Sequence, residues 1–275
     1  MAWHTTKEAI AIASEAGFDV SPRLVRTWIE RGLIRHHSRR GLGRGRGVVG
    51  SWTDDDLRMF LVLLDHRARG AGPSQLCNLV VWLWLAWGED YVHLSQARRA
   101  LVTWVKANRT NSLHSANRCV RAIERKFRHP RSRRLARGKF REALTDVAVS
   151  GNIDSARLNE AVSPVFDPSG GDRARGPVEA SITAARYVDL VRARLDAAQQ
   201  LDELEDKSFY EARDLYLEGR RSYADKWESF AADPELGQAF ERPDLNAVVN
   251  SACIDLITSL ALGRPVSDRR ETGLG

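Results

Sequence analysis

The chain has 275 residues, 43% of them hydrophobic, with 42 Lys and Arg against 36 Asp and Glu and a formal net charge of +6 at pH 7. That length suggests two or three compact units with ordinary cores. Cys77, Cys119 and Cys253 lie far apart without metal-type spacing, so neither a disulfide framework nor a zinc site is indicated and the thiols are expected to be reduced.

The N-terminus lacks the basic-then-apolar pattern of a secretory leader, and the most apolar run, Leu76 to Trp87, contains Asn78 and falls short of the roughly 20 residues that cross a bilayer. A cytoplasmic, nucleoid-associated protein without membrane contact is therefore expected. Charge is unevenly spread: residues 1 to 145 hold 27 basic and 12 acidic side chains, residues 146 to 275 hold 15 and 24. The front half is the part expected to seek polyanions.

The first element is "TTKEAIAIASEAG", a helix opened by a capping Thr and closed at Gly17, with Ala9, Ile12, Ala13 and Ala16 on one face. "GFDV" turns the chain into a second helix with Ser21 as its cap and Pro22 at its first position, ending at Gly32. Its inward face is Val25, Trp28 or Ile29, and Leu33. Two short helices joined by a glycine turn make a helix-turn-helix.

"RHHSRRGLGRGRGVVGSW" follows, with too many glycines and too little apolar surface to pack a core, so a loop or a two-stranded flap is expected. "TDDDLRMFLVLLDHRARG" restarts a helix, with Thr53 as cap and three Asp residues favourably placed in its first turn. From Ser74 the run "LCNLVVWLWLAW" is apolar all round and reads as a buried helix. Trp82, Trp84 and Trp87 then belong to the core, the alternative being a base-stacking platform.

Residues 95 to 149 read as helical and increasingly basic. The eleven cations from Arg118 to Arg141 face only Glu124 and Glu142 in sequence. They make either a solvated helix pair or a second phosphate-contacting surface. "SGNIDSARLNEAVSPVFDPSGGDRARG" has the composition of a linker. Three helical patterns close the chain: Ile182, Ala185, Val188, Leu195 and Leu201; then Leu215, Tyr216, Tyr223, Trp227 and Phe230; then Leu245, Val248, Val249, Ile254, Leu256, Ile257 and Leu260.

The order of parts over about residues 5 to 81, with "R-x-W-x-x-R-G-L" at Arg26 to Leu33, a Gly-rich wing and then "SWTDDDL", resembles the DNA-binding domain of MerR-type regulators. "ARGAGPSQLCNLV" looks like that family's second helix pair. The resemblance implies a second helix in the major groove and a wing across the backbone, with Arg26 and Trp28 matching the Arg and Tyr that grip phosphate and sugar. Two features depart from the family: Ser51-Trp52 stands where an Arg-Tyr pair is usual, and no clean heptad helix follows for dimerisation. Arg23, one turn from the helix start, is the candidate for a base edge, since its planar fork matches the two acceptors of guanine. Arg44 and Arg46 on the wing are placed for phosphates or a narrow minor groove.

The full candidate DNA-contacting set is Thr6, Ser21, Arg23, Arg26, Thr27, Trp28, Arg31, Arg39, Arg40, Arg44 and Arg46. An ordinary solvated helix face, and an RNA-binding basic loop, are the bland alternatives for the helix and the wing. His36 and His37 lack partners for a metal site, and no P-loop, nucleophile elbow or His-Glu zinc motif is present.

These readings converge on a mainly α protein. A winged helix-turn-helix with a small β wing occupies 1–92, a basic helical extension 93–149, a linker 150–176, an acidic helical bundle 177–263 and a flexible tail 264–275. The expected function is sequence-specific binding of double-stranded DNA as a transcriptional regulator, without enzymatic activity, cofactor or metal, the C-terminal bundle supplying a homodimer contact, a partner surface or a ligand pocket. The alternatives are an excisionase-like architectural factor of a mobile element, which small winged-helix proteins resembling this one exemplify, and an RNA- or protein-binding adaptor.

Overall fold

A computed structural model describes residues 3–35, 39–41, 48–109, 113–174, 182–231 and 245–263. Among these the protein is mainly α, with a small antiparallel sheet near the N-terminus. The chain divides into two compact units, Met1–Trp104 with Arg242–Leu256, and Val105–Glu241 with Ile257–Gly275.

The first unit begins with β1 (Trp3–Thr5), α1 (Thr6–Glu15) and α2 (Pro22–Glu30), followed by β2 (Arg39–Gly41) and β3 (Val48–Thr53). Strand β3 is central, pairing Trp3 with Thr53 on one side and Arg40 with Val49 on the other. Thr5 caps α1 in a reciprocal box with Glu8. Gly17, at φ +87°, closes the helix with the paired bonds Gly17 N–H to Ser14 and Phe18 N–H to Ala13. Of the predicted inward face, Ala9 and Ala13 are buried, Ile12 is half-buried and Ala16 is exposed.

Helix α3 (Asp54–Ala68) carries the predicted cap, the Thr53 hydroxyl accepting from Asp56 N–H at 3.1 Å while the Asp56 carboxylate accepts from Thr53 N–H at 2.9 Å. Phe60 of α3 sits at the centre of an aromatic cluster, 5.8 Å edge-to-face from Trp28 and 5.1 Å from Trp52. Such pairs add about 0.5–1.5 kcal/mol beyond the area they bury.

Helix α4 (Pro73–Trp87) is the expected buried helix. Its one polar interior residue, Asn78, accepts a hydrogen bond at 2.9 Å from the Cys253 backbone N–H of α11 (Leu245–Leu262), which explains an amide inside an apolar run. Trp84 is core, whereas Trp87 is 47% exposed, edge-on to Trp82 at 4.9 Å and tilted against Tyr91 at 5.8 Å, so the expectation of a core position fails for Trp87. The reason is register: Trp87 is the last residue of α4, beyond the turn that neighbours cover.

Helix α11, with mean hydropathy 1.5, is long and apolar enough to cross a membrane by length and composition, but Ala252, Cys253, Leu256, Ile257, Leu260 and Ala261 are buried as in a packed core helix.

Burial raises the Cys77 thiol to about 12 and pushes Cys253 up as well, so neither forms appreciable thiolate near neutrality. Iodoacetamide at pH 8 is expected to leave both unmodified in the folded chain and to label both in denaturant, as read by peptide mass spectrometry. Rapid labelling of the native chain at either position would contradict this packing.

The division into two units runs along other lines than three of the expected boundaries. Helix α5 (Leu94–Arg109) is not the start of a separate extension, because its residues up to Trp104 belong to the first unit and bury Leu94, Ala97, Ala100 and Leu101. The supposed linker contains α8 (Ser155–Phe166), capped by Asp154, whose carboxylate accepts from Arg157 N–H at 3.0 Å. Leu158, Ala161, Val162, Val165 and Phe166 repeat at helical spacing, and this amphipathic stripe outweighs the flanking Gly, Ser and Pro. Third, the expected bundle 177–263 does not fall in one unit: α11 divides between the two, and α9 (Ala184–Gln199) shares a core with helices from the basic stretch.

That second core joins α6 (Leu113–Phe127), α7 (Arg134–Ser150), α8 and α9. Phe166 stacks on Phe127 at 5.3 Å and lies 5.3 Å from Tyr187, with Phe140, Leu144 and Val188 around them. On α9 the buried positions are Ala184, Tyr187, Val188 and Ala197; the predicted Val188 is among them, whereas the predicted Ala185 is exposed. On α10 (Asp206–Ala231) Phe209 and Ala212 are buried and the predicted Leu215 is exposed. The side chains of Trp227 and Phe230 and the tail 264–275 lie outside the described residues.

Candidate nucleic-acid interface

Helix α2 is amphipathic, and its two faces have different tasks. Ser21 caps it, the hydroxyl accepting from Leu24 N–H at 3.2 Å, and Pro22 occupies the first position. Val25, Trp28 and Leu33 face the core and Ile29 is half-buried. Arg23, Arg26 and Glu30 recur at i, i+3 and i+7 on the opposite face, all exposed, with Arg31 exposed at the C-cap and Thr27 half-buried. Neither Arg23, Arg26 nor Arg31 is in an ion pair among the described residues. By contrast Arg58 of α3 and Arg69 at its C-cap are each paired with an Asp one turn away.

The sequence does not announce how firmly the far end of α2 is held. Three side chains at i, i+3 and i+7 of α5 donate to carbonyls at the end of α2 and in the turn that follows: Gln96 to Leu33 at 3.0 Å, Arg99 to Ile29 at 3.3 Å and Thr103 to Arg31 at 3.0 Å. The Arg31 and Leu33 carbonyls gain a partner in this way, Ile29 shares its carbonyl with Gly32 N–H, and the Arg99 cation lies where the helix dipole is negative. Gly32, at φ +72°, allows the approach: a Cβ there would stand 2.5 Å from Ala100 N and 2.8 Å from Arg99 C. Gln96, Arg99 and Thr103 are thus positioning residues that motif reading missed. Polar donors at a single helical spacing on an otherwise apolar-faced helix were the available signal.

Among the other expected contacts, Thr6 opens α1 and its hydroxyl accepts from Trp52 Nε1–H at 3.1 Å, which leaves its own proton available. A cleft of about 600 Å³ beside it is lined by Thr6, Pro22, Val25, Arg26, Ile29, Glu30 and Arg99. Trp28 requires a correction: it is 3% exposed, with its ring against Phe60, so it holds the core and has no surface with which to grip a backbone. The whole indole is packed beneath α2. Arg39 and Arg40 lie on β2, which pairs with β3, but their side chains are outside the described residues, as are Arg44, Arg46, His36 and His37 altogether.

No group of His, Cys, Asp or Glu that could hold a metal occurs among the described residues. The chain matches no family model, no curated protein and no solved structure.

Proposed function

We propose that this chain is a sequence-specific double-stranded DNA-binding protein, a transcriptional regulator built on a winged helix-turn-helix of the MerR type. In this reading α2 is the recognition helix and β2 and β3 are the wing strands. The single observation that supports it most is the division of labour on α2: one face and the C-terminal carbonyls are fixed by Phe60 and α5, while the other presents Arg23 and Arg26 without carboxylate partners among the described residues. A rigid helix with free guanidinium groups loses little order on binding and gains counterion release from each phosphate it meets. Arg23 near the helix start reaches base edges; Arg26 and Arg31 hold phosphates, with Ser21, Thr6 and Thr27 as lesser donors.

Selection of bound fragments from a random duplex pool tests the proposal. An enriched motif is expected, with affinity falling steeply with salt, and a palindromic motif would report a two-fold dimer. Failure to retain any duplex at low ionic strength would overturn it.

A further inference from the structure

We propose that the end of α6 and the turn into α7 form a second surface for the phosphate backbone of duplex DNA, separate in sequence from α2. The inference rests on the reading of the chain as a duplex binder. Arg121, Arg125 and Arg128 fall at i, i+4 and i+7, on one exposed side of α6 and its C-cap, while Val120 and Phe127 turn inward. Arg131, Arg133 and Arg134 continue the cation array through the turn, all three exposed. None of the six is in an ion pair among the described residues.

The nearby carboxylates are committed elsewhere. Glu124 is buried against Arg141 at 3.5 Å, and Glu142 and Asp146 both bind Arg157, at 3.3 and 2.8 Å. The surface is therefore net positive for want of internal neutralisation, and folding alone gives no reason for it. Arg133 and Arg134 stand at the N-terminus of α7, where no acidic residue and no side-chain cap oppose the positive end of the helix, so they cost stability in the absence of an anion.

The turn is also fixed in place. His129 N–H donates to the Val165 carbonyl at 2.7 Å, Arg131 N–H donates to His129 Nδ1 at 3.0 Å, and Ser132 N–H donates to the His129 carbonyl at 3.0 Å. Guanidinium groups on a pre-set turn suit a ligand of regular charge spacing.

The surroundings choose among polyanions. Single strands need aromatic platforms, but Phe140 is enclosed in the core and the half-buried Phe127 has its ring stacked on Phe166 at 5.3 Å. A lipid surface needs an apolar face to insert, and Leu135, 76% exposed, is the one exposed large apolar residue between Arg121 and Arg141 among the described side chains. A duplex backbone, read without bases, fits what remains.

The test uses the full chain and compares wild type with the triple variant Arg128→Gln, Arg131→Gln, Arg134→Gln in duplex binding across a salt series. The variant is expected to bind at least about tenfold more weakly at low salt, with a log–log salt slope shallower by about 0.9 for each lost phosphate contact. The matching triple Lys variant should recover the slope, and equal circular-dichroism melts of the three proteins would exclude misfolding. A wild-type affinity and slope in the Gln variant, while Arg23→Ala still weakens binding, would overturn this surface and leave the reading of α2 standing. A wild type that ignores duplex but binds phosphatidylserine vesicles through these arginines would overturn both.

Discussion

Replacing Gly32 with Ala is expected to lower the stability of the first unit by roughly 2–5 kcal/mol. Two effects add there. An L residue in the left-handed region costs about 1–2 kcal/mol, and Gly32 has φ +72°. The new Cβ would also lie 2.5 Å from Ala100 N and 2.8 Å from Arg99 C, both backbone atoms that cannot rotate away. Forcing a methyl into such a contact costs typically 1–3 kcal/mol more. Gly17 supplies the control, because it has φ +87° and nothing within 4 Å of its Cβ position. Gly17→Ala should show the conformational cost alone. Thermal melts of the two variants therefore separate the dihedral penalty from the clash, and equal shifts would show that α5 does not press on α2 as described. Gly32→Ala should further weaken DNA binding, because moving α5 breaks the Gln96, Arg99 and Thr103 bonds that set the end of α2.

Local signals were legible in the sequence wherever a single element could carry them. Ser21-Pro22, Thr53 with Asp56, Gly17 and Gly32 marked their helix ends correctly because caps depend on residues within one turn. The apolar run of α4 betrayed its burial for the same reason. Packing between distant segments was not legible. Asn78 looked like a blemish until the Cys253 amide, 175 positions away, was found against it.

Charge misled in a similar way. The sequence halves differ sharply in sign, yet the first unit holds 15 basic against 12 acidic residues and the second 27 against 24, so each unit is mildly basic. The chain returns, α11 is divided between the units, and α9 and α10 each carry cations and carboxylates in nearly equal number. What survives folding is local: arginines on α2 and around the α6–α7 turn that no carboxylate reaches among the described residues. A composition count sees total charge, whereas phosphate recognition depends on which cations are left unpaired. The same limit explains α8, whose flanking Gly, Ser and Pro dominated a composition window that its apolar stripe should have overruled.

The double variant Arg23→Ala, Arg26→Ala is expected to lose on the order of a hundredfold or more in affinity for the selected duplex while melting like wild type. Both side chains are exposed and unpaired among the described residues, so truncation leaves no buried partner and opens no cavity. The two single variants should fail differently. Arg23→Ala removes a base-edge contact, costing about 1–3 kcal/mol and relaxing preference at one base position. Arg26→Ala removes a phosphate contact, weakening all sequences alike and reducing the salt slope by about 1. The 3.0 Å and 3.3 Å bonds from α5 give this contrast its meaning, since a helix free to rock would blur one role into the other. Binding titrations against the selected motif and its single-base variants, each at several salt concentrations, distinguish the roles. If both variants weakened every sequence equally with the same change in slope, α2 would be a general cationic helix holding the backbone, and sequence preference would have to come from elsewhere in the chain.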